Sequence, residues 1–222
     1  MPRFIIRRIT DPTESELDLL ERIYHVSGKD DPINKLACGA QPYLLPEYYR
    51  ALCRAGAAAG HLLVACHEYE HNIVGGVMCF GPGRGFMNDP YQRSLGFDEF
   101  VDKLNPEILE WWLDFLPQYV AVTSAIAGPG VKRTSWTLNG LAVDPNFRGR
   151  GAGRMLVEAA EALQARQDEG RLMFESTSNK HTELYKYWGY ELLGQQVLPG
   201  RAGVDKMVLK VFSKDFNGSS ES

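Results

Sequence analysis

Between Trp136 and Ser178 the chain reads as strand, turn, glycine-rich loop, helix and strand, and this order constrains the fold more than any other stretch. Trp136 to Val143 is strand-like, and Asp144-Pro145-Asn146-Phe147 makes a turn. Arg148-Gly149-Arg150-Gly151-Ala152-Gly153 then leads into a run with Ala152, Met155, Leu156, Ala159 and Leu163 at helical spacing. Gly170 is placed to stop that helix, and Arg171 to Ser178 is a second strand. A strand, crossover helix and strand of this length imply a parallel pair within an α/β architecture. The loop offers backbone N–H groups with few side chains in the way, just ahead of the positive end of a helix dipole, so it suits one anionic ligand.

Two common phosphate-binding registers fail on these residues. A Walker loop needs Lys and then Ser or Thr after its second glycine, whereas Arg154 and Met155 follow Gly153. A dinucleotide fingerprint would require glycine at Arg154 or Leu156, and the four-residue turn separates strand from loop where that fold turns directly.

Elsewhere the sequence excludes more than it assigns. A formal charge of −4 over 222 residues lacks the basic footprint of a nucleic-acid binder. No apolar run approaches membrane-spanning length, and the start is too short in its apolar run for a secretory signal, so a soluble, cytoplasmic protein with no membrane partner is expected. Cys38, Cys53, Cys66 and Cys79 lack metal or redox spacing, which predicts buried reduced thiols and no metal. Asn217-Gly218-Ser219 matches a glycosylation acceptor, which carries little weight without a secretory signal.

Upstream, Phe4 to Ile9 is strand-like, and Asp11 to Glu14 starts a helix ending near Gly28. Lys29 to Leu45 is irregular and suits a lid or pocket wall. A second helix carries Tyr48, Tyr49, Leu52 and Cys53 up to Gly60, and His61 to Tyr69 with Ile73 to Phe80 form an antiparallel hairpin. Phe97 to Val120 reads as one or two helices, broken near Asn105-Pro106 and ended by Pro117, with Gly128 to Arg133 as a loop. Lys180 to Trp188 is a short helix, Tyr190 to Leu198 and Val204 to Val211 a last strand pair, and residues 214–222 a polar tail after one domain spanning 1–213.

The motif core, residues 136–193, resembles the GNAT superfamily of acetyl-coenzyme A dependent acyltransferases. Arg148-Gly149-Arg150-Gly151-Ala152-Gly153 fits that family's central loop, and the preceding L-A-V-D-P resembles its fourth strand and turn. The later E-S-T-S-N-K-H-T-E-L-Y-K-Y-W-G-Y-E resembles its second half-motif, with Asn179 before a short helix and Tyr185 four residues before Gly189. The resemblance implies a mixed α/β fold: a largely antiparallel central sheet flanked by helices, with one parallel crossover at splayed fourth and fifth strands.

It also implies acetyl-CoA as cosubstrate. Backbone N–H groups of Gly149, Arg150, Gly151, Ala152, Gly153 and Arg154 would hold the pyrophosphate, with Arg148, Arg150 and Arg154 as nearby charge. Leu141, Ala142 and Val143 would line the pantetheine arm, Asn179 would contact the coenzyme, and Tyr185 would protonate the departing thiolate. An amine would attack directly, through a tetrahedral intermediate. No carboxylate lies on the fourth strand, so Glu175, inside an apolar strand, is the first candidate for the general base, ahead of His181.

Acceptor specificity is expected outside these motifs, in Lys29 to Tyr49 and Pro82 to Arg133. A small primary amine is the expected acceptor and a monomer or homodimer the expected state. Transfer to a protein lysine or N-terminus, for which an open groove would speak, and a non-catalytic coenzyme sensor are the alternatives.

Overall fold

The fold is that of a computed structural model, which describes residues 3–216 apart from 29, 40, 166–169 and 202–203. In chain order its first half holds β1 (Phe4–Ile9), α1 (Glu14–Gly28), α2 (Pro32–Cys38), a 3-10 turn (Pro42–Leu44), α3 (Leu45–Ala59), β2 (His61–His67) and β3 (Ile73–Phe80). Four helices follow: α4 (Pro90–Ser94), α5 (Phe97–Asp102), α6 (Pro106–Ala127) and α7 (Val131–Thr134). The last third holds β4 (Trp136–Val143), α8 (Ala152–Ala165), β5 (Gly170–Ser176), α9 (Thr182–Tyr187), β6 (Glu191–Arg201) and β7 (Val204–Phe216).

The strands form one seven-stranded sheet in the order β1-β2-β3-β4-β5-β7-β6. Every neighbouring pair is antiparallel except β4 and β5, the expected parallel crossover. That parallel pairing is short. Only Trp136 with Leu172 and Thr137 with Met173 are in register, although β4 continues to Val143 and β5 to Ser176. Beyond those pairs the two strands part, and the sheet opens into a wedge.

Each sheet face is closed by its own apolar cluster. On one face Leu17, Leu20 and Ile23 of α1 and Leu52 of α3 pack with Met78 and Phe80 of β3. On the other, Leu156 and Val157 of α8 pack with Val77, Leu138, Leu172 and Phe212. Alternating side chains on each strand feed both clusters. The helix starts are encoded locally. Thr13 and Glu16 form a reciprocal capping box, with Glu16 N–H to Thr13 Oγ1 at 3.3 Å and Thr13 N–H to Glu16 Oε2 at 2.9 Å. Asn105 Oδ1 accepts from Ile108 N–H at 3.0 Å and caps α6, with Pro106 at the first helical position.

Several expectations are revised. The irregular stretch from Lys29 to Leu45 contains α2, which Asp31 caps, and the 3-10 turn. The segment from Gly128 to Arg133 ends in the single turn α7. Pro117 does not end its helix, since α6 runs through it to Ala127. A mid-helix proline costs about 3 kcal/mol. Here Phe115, stacked on Trp111 at 4.5 Å, and Val122 are buried with Leu198, Met207 and Leu209 on either side of it, and that packing holds the helix together. The final strand extends to Phe216, so residues 214–216 are strand rather than tail. The rest of the tail, with the Asn217 motif, lies outside the described residues. The four cysteines are free and buried.

Candidate active site

The wedge begins with a backbone irregularity in β4. Gly140 sits at φ +63°, where the pairing of β3 with β4 shifts register between Gly76 and Met78. A Cβ there would meet Met78 Cε at 2.6 Å, a flexible side-chain end that can shift, so it is the left-handed backbone that calls for glycine. Past this bulge Ala142 and Val143 pair with Gly76 and Gly75 of β3, while the side of Leu141 to Val143 that faces β5 has no strand partner. Leu141 and Val143 pack against the α8-side cluster and Ala142 against the other.

The glycine loop lies at the open end of the wedge. Gly149 and Gly151 have φ of +71° and +95°, and a Cβ at either would meet nothing within 4 Å. Among the described residues, the backbone N–H groups from Gly149 to Arg154 have no backbone acceptor, and the ladder of α8 begins with Met155 N–H to Gly151 O at 3.0 Å. These free donors at the start of a 14-residue helix form a concave anion site. The open loop and the unpartnered strand edge fit the pyrophosphate and amide-bearing arm of a coenzyme A ester.

The three arginines differ in their surroundings. Arg148 donates from Nε to Val143 O at 3.1 Å, and Arg150 lies 5.8 Å over the Phe147 ring. Arg154 is turned inward, with Nε to Glu158 at 2.8 Å and Nη1 to Trp188 O at 3.2 Å, which ties α8 to the end of α9. Asn179, before α9, accepts from the buried Lys210 ammonium, which also donates to Ser178 O at 3.4 Å. Burial holds Lys210 below the ordinary lysine value.

Tyr185, on α9, stands edge-on to Phe174 at 4.7 Å and to Phe212 at 5.2 Å. Burial first, and the Asp31 carboxylate second, push its phenol up to about 12, opposed by a hydrogen bond with Ser176. The phenol therefore stays protonated at neutral pH. Glu175 sits elsewhere: its neighbour Phe174 packs with Tyr185, so the alternation of β5 turns Glu175 to the α6 side of the sheet. There its side chain is 8% exposed and is paired with Lys132 Nζ at 2.6 Å, beside the Tyr119 hydroxyl. The two carboxyl and phenol groups singled out from sequence are thus on opposite faces of one strand.

The carboxylate whose charge bears on the Tyr185 phenol is Asp31, which sequence reasoning passed over. Its Oδ1 accepts from Ile33 N–H at 3.0 Å, capping α2, and from Thr177 Oγ1 at 2.6 Å. Its charge also acts on His181, which partial desolvation and the Arg148 guanidinium hold below the ordinary histidine value against Asp31's opposing pull. Four residues earlier Ser27 Oγ donates to Val143 O at 3.1 Å. The junction of α1 and α2 is therefore fastened to β4 at Ser27 and just past β5 at Asp31, across the mouth of the wedge. An Asp-Pro step entering a helix was the available signal, and it reads equally as an ordinary cap.

Two surface cavities lie away from this centre. One of about 450 Å³ is lined by Ser135, Gly170 and Arg171, at the starting ends of β4 and β5, and another of about 260 Å³ by Arg8, His61 and Trp136, at the starting ends of β2 and β4. No described helix is long and apolar enough to cross a membrane.

A mixed sheet opened between one parallel pair, with a nest of free N–H groups at the mouth, is the architecture that the comparisons with known proteins find again. Residues 118–192 match the family model described as an acetyltransferase (GNAT) domain. Over that third of its length the chain is similar to the GNAT acetyltransferases, a family whose cosubstrate is acetyl-CoA. Solved structures agree on the fold. A mosquito arylalkylamine N-acetyltransferase-like protein 5b superposes with a TM-score of 0.64 at 16% identity, covering 96% of this chain and 100% of that one. A Drosophila melanogaster polyamine N-acetyltransferase gives 0.56 at 18% identity, covering 96% and 100%. A ribosomal-protein-alanine N-acetyltransferase from Brucella melitensis gives 0.53 at 18% identity, covering 96% and 99%. No curated protein sequence matches the chain.

Proposed function

We propose that the protein is an acetyltransferase that moves the acetyl group of acetyl-CoA to the primary amine of a small molecule, with Tyr185 as proton donor and Asp31 as the carboxylate that receives the amine. The observation that carries this reading is the placement of Asp31 just past the end of β5, where it accepts from Thr177 Oγ1 and its charge bears on Tyr185. Acetyl-CoA supplies the activated acyl group and leaves as a thiol.

The chain's own residues then have separable tasks. The N–H groups from Gly149 to Arg154 bind phosphate oxygens, Arg148 and Arg150 add positive charge, and Asn179 offers its amide. The free edge of Leu141 to Val143 pairs with the arm of the coenzyme and brings a backbone N–H to the reacting carbonyl. Asp31 attracts a cationic amine, and takes up the proton that the amine must lose to become a nucleophile. Tyr185, protonated up to about pH 12, supplies a proton at the sulfur. Glu175 is bound to Lys132 on the other face, which supports a structural part for it and moves the base from Glu175 to Asp31.

A small acceptor is favoured over a protein one because Ser27 and Asp31 fasten the α1–α2 junction over the wedge, where an extended peptide would need an open groove. The arylalkylamine and polyamine acetyltransferases that share the fold are named for small amines. The test is coenzyme release, followed with a thiol-reactive chromophore, against arylalkylamines, polyamines, agmatine, amino acids and peptides. Turnover of small amines with none on peptides is expected. Turnover on peptides alone, or acetyl-CoA binding without turnover on any acceptor, would overturn the proposal in favour of a protein acetyltransferase or a sensor.

A further inference from the structure

Lys210, on β7, is a buried lysine with no carboxylate. Only 5% of it is exposed, and among the described residues its ammonium meets two neutral oxygens, Asn179 Oδ1 and, at 3.4 Å, Ser178 O. Burying an ammonium that has no opposite charge beside it is costly. What that cost maintains is visible in the two contacts, because both fall on the loop between β5 and α9.

Register explains the placement. Lys210 lies opposite Ser176, the last residue of β5, and two residues before Phe212, whose ring packs with Tyr185. Alternation therefore puts Lys210 on the Tyr185 face of the sheet. From there its four-carbon stem carries the ammonium past the end of β5 to Ser178 and Asn179. The same loop borders the coenzyme side, since His181, two residues on, feels the Arg148 guanidinium that begins the glycine loop.

We infer that Lys210 is a positioning residue, which holds the Asn179 side chain with its oxygen inward and its NH2 group outward to the coenzyme. This rests on the proposed acetyl-CoA site and names what orients one of its contacts. An ammonium has donors only, whereas the Asn179 amide has an accepting and a donating end. The oxygen must therefore face Lys210, and a half-turn of the amide would set N–H against N–H. The Nδ2 donors have no partner among the described residues, and Asn179 is exposed, so they are free for an oxygen of the coenzyme. A cation on the oxygen also polarises the amide, which strengthens those donors. Without Lys210 the amide would turn freely and offer its oxygen as often as its donors.

The test is the affinity of coenzyme A, measured by calorimetry, which requires no acceptor amine. Lys210→Met keeps the stem and removes the donors. It is expected to raise the dissociation constant about tenfold, the worth of one oriented hydrogen bond, while Lys210→Arg, which keeps donors there, stays within about threefold of wild type. Lys210→Leu, with the same expectation, is the reserve variant if the methionine chain does not fold. Asn179→Ala should cost as much as Lys210→Met, and the double variant no more than either, because both remove one contact. The loss should persist from about 50 to about 500 mM salt, whereas direct attraction of phosphates by the Lys210 charge would be screened.

Unchanged affinity in Lys210→Met beside a weakened Asn179→Ala would overturn the inference and leave the coenzyme site standing. So would a double variant that loses the two factors multiplied, or a loss that vanishes at the higher salt. An Asn179→Ala chain that binds coenzyme A as wild type does would overturn both the inference and the part of Asn179 in the site.

Discussion

Replacing Asp31 by Asn separates its structural task from its chemical one. Asn accepts the same hydrogen bonds, so the cap on Ile33 N–H and the bond from Thr177 Oγ1 survive. Asn and Asp are nearly equal N-caps, and the stability change should stay within about 0.5 kcal/mol, against about 1 kcal/mol for Asp31→Ala. What Asn removes is the negative charge. The Tyr185 phenol, which Asp31 helps to push up to about 12, should titrate lower, and no group remains at that position to take the amine proton. Loss of a positioned base costs about 100- to 10,000-fold in rate, equivalent to about 3 to 5 kcal/mol of barrier. The assay is kcat/KM for the best amine across pH, beside a thermal melt and a measured acetyl-CoA affinity. An Asp31→Asn enzyme that folds, binds acetyl-CoA and keeps more than a third of wild-type kcat/KM would refute the role.

Glu175→Gln should leave kcat/KM within about threefold while lowering the melting temperature, because it frees Lys132 from its buried partner; a dead enzyme with an unchanged melt would return the base to Glu175. Gly151→Ala imposes a side chain at φ +95° in open space, so about 1 kcal/mol of stability should be lost, with at least a tenfold rise in KM for acetyl-CoA read by steady-state kinetics. Asn179→Asp gives the buried Lys210 ammonium a carboxylate. The melting temperature should rise by a few degrees while acetyl-CoA affinity, measured by calorimetry, falls several-fold as the amide donor is lost; unchanged affinity would remove Asn179 from the coenzyme site. Alkaline stability should collapse as buried acids ionise. Cys38, Cys53 and Tyr185 are pushed up to about 12, so an unfolded chain, ionising from about pH 9, binds fewer protons than the native one. Stability from these groups is complete below pH 9 and is lost toward pH 12; denaturant melts of wild type and Tyr185→Phe check it, the variant losing stability less steeply.

What sequence made legible was local. The order of β4, loop, α8 and β5 follows from hydrophobic period and glycine placement within one stretch, and the wedge forms where that stretch predicts a parallel pair. Tyr185 was recognisable because its spacing to Gly189 belongs to one short motif. Asp31 was not, because its neighbours Thr177 and Tyr185 come from the far end of the chain and α2 has only seven residues to show a period. Glu175 illustrates the same limit: its burial could be read from its apolar neighbours, but its partner Lys132 could not. Pro117 failed for another reason, since the packing of Phe115 and Val122 outweighs a breaker whose effect is purely local. Arg154 sits between these cases: Glu158 is four residues on, a pair that helical spacing alone could have given.

The wedge joins these observations physically. Strands that part leave backbone groups without partners, and such groups are costly unless something bonds to them. At the β4 side one of them, Val143 O, is taken by Ser27 and Arg148, so the strand end is held without a neighbour strand. Both donors come from segments that border the proposed reaction, the acceptor-side junction and the coenzyme loop. The carbonyl thereby couples the two halves of the site to one rigid strand, while the rest of the edge from Leu141 to Val143 has no strand partner and stays free for a ligand amide. On the β5 side, Thr177 fastens Asp31 just after the strand ends, and Ser176 orients Tyr185. The proposed acid and base groups are then both set from the end of β5, across the gap from the free edge of β4. Residues that bind the donor can vary little in position because they hang on backbone geometry. Acceptor choice is left to the α1–α2 junction and the helices above it, which the sheet holds only through side chains.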